Sequence, residues 1–274
     1  MMGGMSEKDT IAAVERPATV ASLCDDLRRL GVYEGEVVIV HSSLSRLGWV
    51  AGGPQAVVQA LLAAVSPTGT VVMPTHTAHL TDPARWANPP VPPEWVDIIR
   101  AEMPAFDRDL TPTREMGDVV ECFRHHHRTL RSDHPTESFA ANGPMASRII
   151  DHHPLTPAMG EGSPLQHLYD LDASVLLLGV DHANNTSLHL AEYRATWPGK
   201  HTYVEGVPMM VDGERRWVQF EDLAIDADDF ATLGEAFAAT GQERRGPVGG
   251  GVGRHFSMRA AVDFAVGWLS AHRT

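Results

Sequence analysis

The sequence predicts a mixed α/β fold: a central mixed or parallel sheet flanked by helices, with an added β-hairpin or small subdomain. Three observations predict it. Short apolar, largely β-branched or leucine runs at Glu36–His41, Thr70–Pro74 and Val175–Val180 read as buried strands. Helix-like segments separate the first two, giving strand, loop, helix, strand in the order of a βαβ unit. Thr202–Phe220 alternates apolar and polar residues around Asp212-Gly213, the pattern of a hairpin.

Each element has a local reason. Thr19–Gly31 carries Val20, Leu23, Leu27 and Leu30 on one stripe, and Gly31 stops the helix. The strand ending at His41 runs into a hydroxyl-rich loop, Ser42–Trp49. A helix over 54–65 follows, with Pro54 in its first turn. Residues 76–115 hold Pro89-Pro90-Val91-Pro92-Pro93 between Trp86 and Trp95, a composition that suits a binding loop or lid. Helices are expected there around Glu94–Met103 or Asp118–His125. Arg131–Phe139 reads as a polar loop, and a short helix begins near Gly143. Ser163-Pro164 opens a helix to Leu171 that leads into the Val175–Val180 strand. After the polar loop Asp181–Asn185, Thr186 or Ser187 suits the N-cap of a helix carrying His189 and Glu192. Asp226–Thr240 and Met258–Ala271 are helical stripes, and Gly246–Gly253 reads as a flexible glycine-rich connector.

The chain of 274 residues is expected to form one domain over 16–274 behind a disordered tail at 1–15. Its net charge is −13, from 35 acidic and 22 basic residues, which argues against nucleic acid or an anionic membrane as partner. The same charge suits a cationic substrate, and equally suits solubility alone. Cys24 and Cys122 lie far apart in helix-like segments, so a reducing compartment is expected rather than a disulfide framework. No apolar run approaches the ~20 residues of a membrane span, and MMGGMSEKDT has neither the basic start nor the apolar centre of a secretory signal. A cytoplasmic protein is expected.

Three stretches could carry chemistry. His189 and Glu192 share a helix face, so a carboxylate could fix the tautomer of a general base; a surface polar pair has the same spacing. The 15 histidines invite a metal reading, but HExxH, CxxC and paired Cys/His spacings are all missing, and no metal is expected. Ser42–Ser45 follows a strand and could hold phosphate with hydroxyl and N–H groups. It is not a GxxxxGK[ST] loop, and no GxSxG elbow is present.

Taken together, several motifs in one order resemble the aminoglycoside 3-N-acetyltransferase family. They are VHSSLSRLGWVAGG (Val40–Gly53), VVMPT (Val71–Thr75), PTREMGDVVECFR (Pro112–Arg124), RSDHPTESFAANGP (Arg131–Pro144), GSPLQHLYDLDASVLLLGV (Gly162–Val180) and NTSLHLAE (Asn185–Glu192). The resemblance implies an antibiotic acetyltransferase fold, distinct from the GNAT enzymes. It implies acetyl transfer from acetyl-coenzyme A to the 3-amino group of a 2-deoxystreptamine aminoglycoside, without a metal. It implies His189 as base and Glu192 as its partner, with Thr75 or Thr186 donating to the developing oxyanion. It further implies a coenzyme A site built from Ser42, Ser43, Leu44, Ser45, Arg46, Leu47, Gly48 and Thr75, joined by Arg131, Ser132, His134 and Phe139. A carboxylate-lined cleft for a polycation then has candidates in Asp181, Glu192, Glu221, Asp222 and Asp226, with Trp86 as a cleft wall. Monomer or homodimer both fit.

Segment 76–115 and Asp181-His182-Ala183 match no motif, which leaves the amine open. An acetyltransferase for a non-antibiotic, biosynthetic amine is the alternative reading. A non-catalytic coenzyme A or sugar binder and a metal-dependent hydrolase are competing readings from other classes.

Overall fold

Parallel pairing between β1 (Val37–Ser42), β2 (Thr70–Pro74) and the later β5 (Ser174–Leu178) forms the centre of the sheet in a computed structural model that describes residues 7–274. In chain order the helices are α1 (Glu7–Ala12), α2 (Val20–Leu30), α3 (Gly53–Val65), α4 (Val96–Glu102), α5 (Asp118–Arg124), α6 (Ala146–Ile150), α7 (Pro164–Asp170), α8 (His189–Arg194), α9 (Phe230–Ala238) and α10 (Met258–His272). The remaining strands are β3 (Leu130–Arg131), β4 (Phe139–Asn142), β6 (Thr202–Val211), β7 (Glu214–Leu223), β8 (Arg244–Val248) and β9 (Gly251–Ser257). The seven-stranded sheet runs β3-β4-β2-β1-β5-β9-β8, with antiparallel strands on both flanks; β6 and β7 form the separate hairpin. The expected mixed sheet with an added hairpin is what forms.

Alternation along the strands divides the core. Val38, Val40, Val71 and Met73 pack with α2, α3 and α5. Ile39, Val72, Val175 and Leu177 pack with α6 to α10 on the other face. Local signals behave as their chemistry dictates. Thr19 and Ser22 form a capping box on α2, Gly31 ends it at φ 114°, and Asp212-Gly213 turns the hairpin at φ 53° and 81°.

Four expectations change. Gly246–Gly253 is not a flexible connector: it is the end of β8, a tight turn and the start of β9. Its glycines reflect close approach, since a Cβ on Gly251 would lie 2.2 Å from Arg46 O. The Arg131–Phe139 loop is bounded by β3 and β4, whose alanine-rich Phe139–Asn142 run carries a weak strand signal. The helix expected from Asp226 starts at Phe230, because the Asp226 carboxylate accepts the Asp228 N–H in a local turn. Of the expected tail at 1–15, residues 1–6 lie outside the described residues, and Glu7–Ala12 form α1. Among the described residues no helix is long and apolar enough to cross a membrane.

The proline-rich segment is strapped to the hairpin. Arg100 grips the Asp82 carboxylate with two bonds at 2.7 and 3.0 Å, Asp82 N–H donates to Glu205 Oε1, and Arg215 donates to the Met103 carbonyl.

Candidate active site

The end of β5 delivers the chain into two short 3₁₀ turns, His182–Asn184 and Thr186–Leu188, and then into α8. The cap before the second turn is Asn185, whose side chain accepts from Ser187 N–H; α8 itself starts after Leu188 without a side-chain cap, so neither Thr186 nor Ser187 caps it as expected. His189 and Glu192 do share a face. His189 Nδ1 lies 2.5 Å from Glu192 Oε2. A carboxylate can only accept, so Nδ1 is the donor, and in the neutral ring the lone pair is then on Nε2. Among the described residues Nε2 has no hydrogen-bond partner. The imidazole is 13 % exposed and rests on Phe230, ring centroids 4.9 Å apart.

Glu192 is fully buried, and its other oxygen is engaged too. Oε1 accepts from Asp226 N–H at 2.9 Å and from Arg273 Nη1 at 2.5 Å. Lys200 Nζ closes the end of α8 by donating to the carbonyls of Glu192, Tyr193 and Ala195. Burial lowers the Lys200 ammonium from its ordinary value.

A second histidine fixes the loop. His41, last but one in β1, accepts the Thr186 N–H at 3.0 Å on Nε2, so its own proton sits on Nδ1, which is buried without a partner. Burial, then the neighbouring His76, His189 and His182, lowers its pKa to about 3. His76 is likewise lowered to about 3 by burial, and its Nδ1 faces Glu137 at 3.3 Å. These rings are neutral near pH 7. Burial pushes the Glu137 carboxyl up. Glu137, Glu205, Asp222, Tyr193 and Tyr203 line a small cavity of about 30 Å³ beside α8. Asp222 accepts from Tyr193 OH and from Ala158 N–H, both at 2.9 Å.

The large cavity lies on the opposite side of the strand ends and has a volume of about 1380 Å³. Consecutive residues explain the split: His41 meets Thr186 in the turn before α8, and Ser42 lines this cavity. Its walls include Ser42–Arg46, Gly48, the start of α3 at Gly53, Gly179–Asp181, and the β8–β9 turn at Gly250–Val252. Arg46, Arg245 and Arg254 bring positive charge to it. Three features suit a phosphorylated ligand. The Ser42 hydroxyl is buried without a partner, a Cβ on Gly53 or Gly117 would meet nothing within 4 Å, and α3 directs its N-terminus inward.

The anticipated residues divide accordingly. Ser42, Ser43, Leu44, Ser45, Arg46 and Gly48 share the large cavity, whereas Leu47 turns into the core at 0 % exposure. Thr75, Arg131, Ser132, His134 and Phe139 do not line it; they are buried in the fold. Arg131 spends its donors on the Thr75, Arg108 and Thr111 carbonyls and on Ser138 Oγ, anchoring the 76–115 segment. Its guanidinium is lowered to about 10 by burial. Ser132 and His134 serve the same loop, accepting Phe139 N–H and Glu137 N–H respectively. Asp181 stands on the large cavity, Asp222 on the small one, and Asp226 reaches Glu192 through its backbone. Glu221 bonds Thr202 on the hairpin, and Trp86 bonds Thr81; neither lines either of these two cavities. His41, His76, Glu137, Lys200, Arg245, Arg254 and Arg273 were not anticipated. Only His41 had a usable signal, since ligands gather at the carboxyl ends of parallel strands.

Residues 39–270 match the family described as aminoglycoside 3-N-acetyltransferase. The SPbeta prophage-derived aminoglycoside N(3')-acetyltransferase-like protein YokD of Bacillus subtilis (strain 168) is 45% identical, over 96% of each chain. Aminoglycoside N(3)-acetyltransferase VIII of Streptomyces fradiae is 36% identical over 97% of each. The crystal structure of YokD superposes with a TM-score of 0.94, covering 97% of this chain and 98% of that one. A structure titled AAC-IIIb binary with CoASH, 33% identical, gives 0.84 over 93% of this chain and 97% of its own. Sisomicin-bound AAC-VIa, 29% identical, gives 0.85 over 94% and 100%.

Proposed function

This chain belongs to the aminoglycoside 3-N-acetyltransferase family, and from that premise we propose that it moves an acetyl group from acetyl-coenzyme A to the 3-amino group of a 2-deoxystreptamine aminoglycoside. Such a transfer inactivates the antibiotic and confers resistance. The observation that carries the reading is the 2.5 Å His189 Nδ1 to Glu192 Oε2 contact, which leaves Nε2 as a base.

The mechanism follows from the groups present. The amine enters as an ammonium and sheds one proton to solvent. As its nitrogen bonds to the thioester carbonyl carbon, His189 Nε2 takes the second proton, and Glu192 stabilises the imidazolium. The C–S bond then breaks, and the proton passes to the departing sulfur. Thr186 is the favoured oxyanion donor, because the Thr75 hydroxyl is already engaged with Ser138 and Arg131. Arg46, Arg245, Ser42 and the α3 N-terminus would hold the phosphates of the donor in the large cavity. Glu137, Asp222 and Glu205 would meet the acceptor's cationic groups.

One observation favours a second reading, a smaller, non-antibiotic amine. The space beside Tyr193 and Asp222 is only about 30 Å³, room for about two or three waters. Thiol release measured across a panel of aminoglycosides and small amines, with NMR of the product, tests both. Acetylation at N3 supports the first reading; turnover with small amines alone supports the second; no transfer to any amine sinks both.

A further inference from the structure

We propose that Arg273 is the positioning residue of the His189–Glu192 pair: it aims the Glu192 carboxylate at the imidazole and sets the pH range in which the pair is active. The proposal rests on the reading of His189 as base.

Glu192 is fully buried, yet it must present one oxygen in the imidazole plane and remain an acceptor. Two groups define its rotation by binding Oε1: Asp226 N–H at 2.9 Å and Arg273 Nη1 at 2.5 Å. Only Arg273 brings charge. The guanidinium is held in turn by the Asp229 carboxylate, with Nε to Oδ2 at 2.8 Å and Nη2 to Oδ1 at 2.6 Å, and by the Asp226 carbonyl at 2.5 Å. Trp197 and Phe230 pack against its faces, 5.1 and 5.9 Å from the ring centroids. Phe230 is also the ring under His189, so one aromatic side chain seats both the base and its remote anchor. A planar fork fixed on one carboxylate and aimed at another orients the second more tightly than a mobile point charge. The extended chain after α10 thus reaches the dyad from 81 positions away.

Electrostatics give the second part. The pair is faced by His41, His76 and Glu137 from the strand-end side, by Lys200 from the exit of α8, and by Asp226, Asp229 and Arg273 from the α9 and α10 side. His41 and His76 are uncharged near neutral pH, and Lys200 spends its Nζ on backbone carbonyls. Arg273 is the cation in contact with the carboxylate. Removing it raises the proton affinity of the coupled pair, so the acidic limb of the rate profile moves to higher pH.

The test uses the full chain, acetyl-coenzyme A and an accepted amine, with kcat, KM and the pH profile measured for Arg273→Gln, Arg273→Lys and Asp229→Asn. Arg273→Gln is expected to lower kcat roughly 10- to 100-fold, to leave both KM values within about twofold, and to move the acidic limb up by about one unit. Arg273→Lys should keep the limb in place, and Asp229→Asn should reproduce the Gln effect in milder form. Millimolar guanidinium should restore part of the Arg273→Gln rate. A folded Arg273→Gln with wild-type kcat and limb overturns the proposal. So does a fall in kcat with an unmoved limb that neither Lys nor guanidinium repairs. If Arg273→Gln does not fold, wild-type kinetics in Asp229→Asn overturn it. The downfield Nδ1 proton of His189, seen by NMR without turnover, should weaken or shift in Arg273→Gln. It therefore reads the proposal even if the wild-type chain acetylates no amine, which would sink the functional reading instead.

Discussion

The Thr186 backbone N–H donates to His41 Nε2 at 3.0 Å, and this bond ties the end of β1 to the loop that carries the base. Because His41 and Ser42 are neighbours on one strand, the strand end braces the His189 side with one residue and lines the large cavity with the next.

His41→Ala leaves the half-buried Thr186 amide without its acceptor. The expected cost is about 1–3 kcal/mol of stability, with kcat falling further than the donor KM changes, because Thr186 shifts while Ser42 stays. Urea unfolding and steady-state kinetics measure the two effects; an unchanged urea midpoint counts against the bond.

His189→Gln keeps a polar side chain of similar reach but no base. Turnover should drop by roughly 10²–10⁴, while coenzyme A binding measured by calorimetry stays within about twofold, since His189 does not line the large cavity. Near-normal acetylation would remove His189 from its role.

The donor loop offers a steric test. Gly179 sits at φ +67°, and a Cβ there would lie 2.6 Å from Arg46 Cβ. Gly179→Ala therefore forces the Ser42–Gly48 loop outward and adds about 1 kcal/mol of backbone strain. The donor KM should rise several-fold with the amine KM unchanged. An unaltered donor KM would mean this loop does not hold the donor.

How much could be read from the chain alone is clearest at these positions. The i,i+3 relation of His189 and Glu192 is local and survives folding intact, as does the Asp212-Gly213 hairpin. Ser42–Gly48 was legible because the loop follows a β-branched strand. Arg273 carries no local signal, because its partners lie 44 to 81 positions away and are set by tertiary packing; Lys200 reaches back only to the end of α8, but no side-chain pattern announces a bond to carbonyls. The Gly246–Gly253 run misled for the opposite reason: close approach and flexibility both ask for glycine. Arg131 and His134 belong to a motif, but a motif does not say whether a buried arginine touches a ligand or holds a loop.

Arg131→Met separates those two roles. The Thr111 and Arg108 carbonyls lose their donor, whereas the Thr75 carbonyl keeps the Ser138 hydroxyl, so stability should fall by about 1–3 kcal/mol. The folded fraction should bind coenzyme A as wild type does, and a large rise in its dissociation constant would return Arg131 to the donor site.

The buried histidines predict acid sensitivity. His41 and His76 titrate near 3 in the folded chain and near 6.5 when unfolded. Between those values the unfolded state binds more protons, so stability rises with pH and is lost as pH falls from about 6.5 toward about 3. Each histidine contributes a slope of about 1.4 kcal/mol per pH unit. His134 and His153, also lowered by burial, act in the same sense. Glu137 opposes them: its raised carboxyl favours the folded state at low pH, an advantage lost as pH rises through its folded pKa. Glu121, lowered to about 2 despite burial by bonds from Arg124 and Thr113, adds a later loss between 4.5 and 2. Urea midpoints at pH 7, 6 and 5 should therefore fall steadily, and His76→Gln should flatten the slope. A midpoint constant from pH 7 to 5 would show that these rings are not held neutral in the fold.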